Sequence, residues 1–304
     1  GESAPTGVFD LTIDLTAPGK PGTGGLGSID NVNDDVGSVQ GSIANGGTTD
    51  DTTPTFSGGG QEPGDKVTLV DNGTVIGEAV VDGSGNWSIT PGTPLNDGAH
   101  NITLVVIDPA GNPSAPSDPF VVNVDTVAPG TSTSQQLTDD FGSITGPITS
   151  GGVTDDSTPT FSGSAEAGSV VIIYDKGNEI DRVTVDGSGN WSYTPRTPLT
   201  DGSHSFSTVV QDAAGNQSPK SPAIDFDVNT SSVAISITGA TDDFGPVNDP
   251  LISGDVTDDT TPTLTGKATP NSTVTLYDGT VKLGTVTSDA SGNWSYTTST
   301  LSEG

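Results

Sequence analysis

The chain has 304 residues, 33 Asp against 6 Glu, 8 Lys plus Arg, no Cys, no Met and a net charge of -31. A polyanion of that density repels phosphate backbones and anionic lipid surfaces, which argues against nucleic acid and against a membrane surface as partners. Without Cys there are no disulfides, thiolate nucleophiles or Cys zinc sites, and two His leave little for a His-rich centre; hard-cation chemistry through oxygen ligands stays open. The 42 Gly, the 22 Pro and the abundant Thr, Ser and Val predict an all-β chain of short strands and many turns. The longest apolar runs, such as Val170 to Tyr174, are strand-length and far below the ~18 residues of a membrane helix, so no membrane insertion is expected. Residues 1 to 30 show neither a basic leader nor an apolar signal core. That leaves an intracellular chain, an excised fragment, or export by a signal located elsewhere.

In chain order, Phe9 to Pro18 aligns with Phe120 to Pro129, so residues 1–18 read as the last strand of a preceding domain. Gly22 to Gly27 reads as an enlarged linker, because no Lys-Ser/Thr follows to make a phosphate loop. Then a repeat begins. Ser84-Gly85-Asn86-Trp87 returns at Ser188–Trp191 and Ser291–Trp294, at offsets of 104 and 103 positions. Asp50-Asp51-Thr52-Thr53-Pro54-Thr55 returns in step at Asp155-Asp156 and Asp258-Asp259, and 16 positions ahead of each block stand Asp34-Asp35, Asp139-Asp140 and Asp242-Asp243, each one residue short of a Gly. A period of about 100 residues is the size of one immunoglobulin-like sandwich. The expected domains are 19–127, 128–231 and 232–304, the last ending before its final two strands.

In the second copy, alternation and turn residues place a leading strand near Gln136-Leu137, then strands at Thr158 to Ala165, Val170 to Tyr174, Ile180 to Val185, Trp191 to Tyr193, His204 to Gln211 and Ala223 to Val228. Seven strands make one sandwich, and the chain reads as tandem immunoglobulin-like β-sandwich domains.

The Val-Asp-Thr-x-x-Pro exit, the Asp-Asp-x-Gly pair, Thr-Asp-Asp-x-Thr-Pro-Thr, Asp-Gly-Ser-Gly-Asn-Trp and Asp-x-Ala-Gly-Asn together resemble the bacterial immunoglobulin-like repeats of giant, type I-secreted, non-fimbrial adhesins. The likeness is to the SiiE type first and to BapA-type biofilm adhesins second. The resemblance implies a monomeric, extended rod of many domains, secreted and retained at the bacterial surface. It further implies calcium near the domain junctions and a host-cell surface, glycans included, as the partner of the full-length adhesin.

Calcium takes about 6 to 8 oxygen ligands from flexible loops, which short Asp side chains supply. In a sandwich the acidic pairs return to the pole from which the last strand leaves through Asp125, or Asp14 in the preceding domain, whereas the hairpin carrying Asp108 or Asp212 lies at the opposite pole. A junction therefore gathers acids from two consecutive domains, for example Asp50, Asp51 and Asp125 with Asp212. Isolated Asp71, Asp82 and Asp186 read instead as turn formers. Trp87, Trp191 and Trp294 allow two readings, packed strand residues or exposed sugar platforms. His100 and His204, at equivalent positions, read as structural, and no Ser-His-Asp constellation survives the periodicity, so no enzyme is expected.

Overall fold

The computed structural model describes residues 10–142, 145–231, 235–245 and 249–303. No helix forms among them, so none is long and apolar enough to cross a membrane. The first domain is built from β1 (Asn31–Asp34), β2 (Gly41–Ser42), β3 (Gly47–Thr49), β4 (Thr55–Gly58), β5 (Lys66–Asp71), β6 (Thr74–Val80), β7 (Trp87–Ile89), β8 (Gly98–Ile107) and β9 (Phe120–Val124). One sheet has the order β2-β1-β4-β7 and the other β3-β9-β8-β5-β6. All pairings are antiparallel except β3 with β9, which run parallel. Residues alternate inward along each strand, so Val32, Phe56, Val67, Leu69, Ile102, Leu104 and Val122, all fully buried, form the core between the sheets.

The second domain repeats this plan with β10 (Thr133–Asp139), β11 (Gly146–Ile148), β12 (Gly152–Thr154), β13 (Thr160–Ser164), β14 (Val170–Asp175), β15 (Asn178–Thr184), β16 (Asn190–Tyr193), β17 (Gly202–Gln211) and β18 (Ile224–Val228). Its sheets are β11-β10-β13-β16 and β12-β18-β17-β14-β15. All seven expected strands are present, with ends that agree to within three residues. Two more, β11 and β12, are three residues each and too short and Gly-rich to show alternation.

The chain divides into compact units Gly1–Asn229 and Thr230–Gly304. In the second unit β19 (Ser236–Thr241), β20 (Pro250–Leu251), β21 (Thr263–Lys267) and β24 (Asn293–Thr297) form one sheet, and β22 (Thr273–Asp278) pairs with β23 (Val281–Thr287) alone. Its core is correspondingly small: Ala268, Val274, Leu276 and Trp294.

The expected strand before Pro18 begins at Phe9, outside the described residues. From Asp10 to Pro18 the chain makes no ladder, and Leu11, Ile13 and Leu15 are exposed. Such a strand forms only against a neighbouring strand.

The Trp residues are packed. Each of Trp87, Trp191 and Trp294 is 4% exposed, which rules out the exposed-Trp sugar platform. Each indole lies across a strand glycine, Gly58, Gly163 or Gly266, where any Cβ would collide with the ring. Phe161 meets Trp191 edge-on at 5.0 Å.

Candidate metal centres at the domain poles

The acidic pairs fold the same way in all three copies. Asp34, Asp139 and Asp242 are buried and accept hydrogen bonds from the hydroxyls of Thr49 (2.5 Å), Thr154 (2.5 Å) and Thr257 (2.7 Å). Their second oxygens accept the main-chain N–H of Val36, Phe141 and Phe244, closing an Asx turn. Asp51, Asp156 and Asp259 are likewise buried and accept the N–H of Thr53, Thr158 and Thr261, each at 2.7 Å. Thr49, Thr154 and Thr257 therefore tie the two acidic blocks of each copy together.

The other member of each pair points outward. Asp35, Asp140 and Asp243 are exposed, as are Asp155 and Asp258, whereas Asp50 is half-buried. The glycine of the Asp-Asp-x-Gly motif explains how these outer carboxylates are seated. Gly37, Gly142 and Gly245 have φ of 67°, 74° and 80°, and a Cβ would meet the carboxylates of Asp50, Asp155 and Asp258 respectively.

At the opposite pole Asp108 and Asp212 organise the β8–β9 and β17–β18 connections. Asp212 Oδ1 accepts the N–H groups of Ala214, Gly215 and Asn216, and its Oδ2 accepts the Asn216 amide at 2.9 Å. Asp108 bonds Asn112 in the same manner, and the Asn112 side chain, followed by main-chain N–H groups, holds its carboxyl below the usual range. The Asn residues then reach out: Asn216 Nδ2 donates to the Asp125 carbonyl at 2.9 Å, and Asn112 Nδ2 to the Asp14 carbonyl at 3.2 Å. The hairpins of the first two copies thus grip the incoming main chain, at Asp14 and at Asp125, which directly follows β9.

At the junction of the first two domains this brings together Asp34, Asp50, Asp51 and Asp212. Burial, then the charge of Asp34, and further those of Asp212 and Asp51, raise the Asp50 carboxyl above its ordinary value. Asp50 Oδ1 and Asp51 Oδ2 are buried without a hydrogen-bond donor, and Asp51 is only 1% exposed. Among the described residues no ion pair serves any of the predicted Asp. No three acidic or imidazole side chains stand close enough, as placed, to enclose an ion among those residues. Asp50 Oδ1 and Asp51 Oδ2 are carboxylate oxygens, the donor type a hard cation accepts, and as placed they are left without a partner.

One acidic group escaped the sequence reading. Asp65 is 5% exposed, and burial, then Asp108 and Glu62, raise its carboxyl. The other copies have Ser169 and Ser272 there, so a departure from the repeat was the available signal. By contrast Asp82, Asp186 and Asp289 each accept two or more main-chain N–H groups in their own turns and need no ion.

No curated protein matches the chain at a significant level. Among solved structures it is similar to fibronectin(III)-like modules of Clostridium thermocellum CbhA (18% identity, 62% of this chain and 90% of that one, TM-score 0.39). It is also similar to a tetra-tandem repeat in the extending region of a large adhesion protein (22%, 81% and 62%, TM-score 0.27) and to the BSP domain of a biofilm associated protein (20%, 61% and 29%, TM-score 0.24). The sequence profile of the bacterial Ig-like domain matches residues 28–126, 131–230 and 237–304, and the chain belongs to that family as three copies in tandem.

Proposed function

We propose that the chain is a spacer segment of a giant bacterial surface adhesin, of the SiiE or BapA type, in which calcium at the domain poles stiffens successive junctions. The parent would leave by type I secretion, stay at the cell surface and present a distal tip to host cells or to a biofilm matrix; host attachment would make it a virulence factor. The observation that supports this is Asp50 Oδ1, buried without a donor and under the charge of Asp212 on the second domain's hairpin, next to Asp51 Oδ2, which is likewise buried and donor-free. Confined like charges about 4 Å apart repel by about 1 kcal/mol even in bulk water and by more where solvent is excluded. A bound divalent cation reverses that sign. At a free concentration about 100-fold above the dissociation constant it adds about 2.7 kcal/mol of stability per site. The carboxylates are neighbours within turns rather than a pair facing each other across a cleft, which supports a non-catalytic role.

A thermal melt with calcium, with equimolar magnesium and with chelator tests the reading. A midpoint raised by calcium and not by magnesium is the expected result, because magnesium demands a tighter octahedral shell and dehydrates reluctantly. Equal midpoints in all three would remove calcium from the account.

A further inference from the structure

The junction of the first two domains holds a second set of contacts that uses no acidic pair. Ser38, two residues beyond Val36 in the first domain's acidic loop, donates its hydroxyl to the Gly215 carbonyl at 2.7 Å. The same oxygen accepts the side-chain amide of Gln211 at 2.6 Å. Gln211 is 5% exposed, and its carbonyl oxygen accepts Arg182 Nη1 at 3.1 Å. Arg182 is fixed in turn by two hydrogen bonds to Glu179, at 2.7 and 3.1 Å. Every polar atom along this line has a partner of the right kind: the guanidinium donates to the amide oxygen, the amide NH₂ to the hydroxyl, and the hydroxyl to the main chain. Beside it Gly215 packs against Val39, with room for no Cβ without displacing the valine backbone or side chain.

We propose that Ser38, Gln211 and Arg182 form a metal-independent latch that fixes the second domain on the first, so that this junction keeps its geometry when calcium is removed. This goes beyond the calcium reading: at this junction the latch and the ion each hold the two domains, so the contribution of calcium shows only once the latch is removed. The latch is particular to this junction. In the first domain the positions of Gln211 and Arg182 are occupied by Ile107 and Glu78, which offer neither an amide nor a guanidinium to the preceding copy. Copies with the same acidic motifs therefore differ in how they hold their neighbour. Ser38 and Gln211 act as positioning residues, since neither needs to touch the ion.

The absence of Cys permits a direct test on the full chain. Thr74→Cys and Asn178→Cys, at exposed positions one in each domain, carry spin labels whose separation is read by pulsed electron resonance. The expected distance distribution is equally narrow in calcium and in chelator. Adding Ser38→Ala or Gln211→Ala broadens it in chelator and leaves it narrow in calcium. Ser38 is exposed, so its substitution leaves the fold intact, and the circular dichroism of each variant confirms that it remains folded. The latch is overturned if chelator broadens the unsubstituted chain as much as the variants, or if both variants stay narrow in chelator. If calcium fails to narrow the variants while their broadening in chelator stands, the latch is upheld and the calcium reading falls.

Discussion

The poles of the first and second domains carry the same acidic motifs and share their threonine hydrogen bonds, but Asp156 Oδ2 accepts the Asp140 N–H at 3.3 Å whereas Asp51 Oδ2 has no donor, and the two poles present different electrostatics. Thr49 and Thr154 bond Asp34 and Asp139 at the same 2.5 Å, and Thr53 and Thr158 bond Asp51 and Asp156 at the same 2.7 Å. Asp155 is nevertheless exposed, while Asp50 is half-buried, has an oxygen without a donor and has its carboxyl raised. Against the first pole sits the Asp212–Asn216 hairpin. The inner layer of the pole is thus made within one domain, and the confinement of charge is made by two.

The largest expected effect breaks the comparison through the ion. With calcium about 100-fold above its dissociation constant, Asp50→Asn loses up to the site's whole increment of about 2.7 kcal/mol. The same change at Asp155 stays within about 0.5 kcal/mol, the usual range for an exposed position. In chelator the order reverses, because Asp50→Asn removes a repelled charge and gains stability. Calorimetry of both variants in both conditions checks this. Equal losses in calcium would mean that each pole binds its ion without a neighbouring hairpin.

A smaller effect sharpens it through the glycines. Gly37→Ala and Gly142→Ala both force a Cβ into left-handed backbone, at roughly 1–2 kcal/mol. At Gly37 the new atom overlaps Asp50, which is hemmed in, whereas at Gly142 it falls 2.6 Å from Asp155, an exposed side chain free to swing away. Chemical denaturation should show the larger loss in the first domain. The reverse order would mean that Asp50 has more freedom than its burial implies.

Much of this was legible in the sequence because repetition supplied internal controls. Strands with alternating apolar residues, such as Val170 to Tyr174, were readable locally. β12 was not, since it exists only through parallel pairing with β18 about 70 residues away, and nothing in Gly152-Val153-Thr154 encodes that. Acids 16 positions apart were readable as one cluster, and topology placed Asp212 opposite them. Strand alternation then splits each pair: Asp34 closes β1 facing inward, so Asp35 must face out. Burial of Asp50 depends on a contact across the junction, which no local pattern reports. Trp burial was ambiguous until Gly58, Gly163 and Gly266 were seen beneath the rings.

The smallest expected effect concerns what the two domains share. His100 Nδ1 lies 2.7 Å from the Asp71 carboxylate, and Nε2 lies 2.7 Å from the Asn96 carbonyl; His204 repeats this with Asp175 and Thr200 at 2.7 and 2.9 Å. Both partners of each ring are acceptors, and a neutral imidazole has one N–H to give. At His100 the fold therefore favours the doubly protonated ring, which ties the segment before β8 to the end of β5. Burial opposes the charge on His100, yet the Asn96 carbonyl and the Asp71 carboxylate outweigh it and raise its value above 6.5. A raised folded value means that the stabilisation is fully present below the unfolded value of about 6.5 and is lost as pH rises through the folded one. Imidazole proton shifts followed by NMR should show His100 titrating above the unfolded value, with Asp71→Asn lowering it and flattening the decline in stability. Titration at or below the unfolded value would mean that the ring is neutral and one of its two bonds is only a contact. Because this tie lies within each domain, it should be indifferent to calcium, which separates it from everything that happens at the poles.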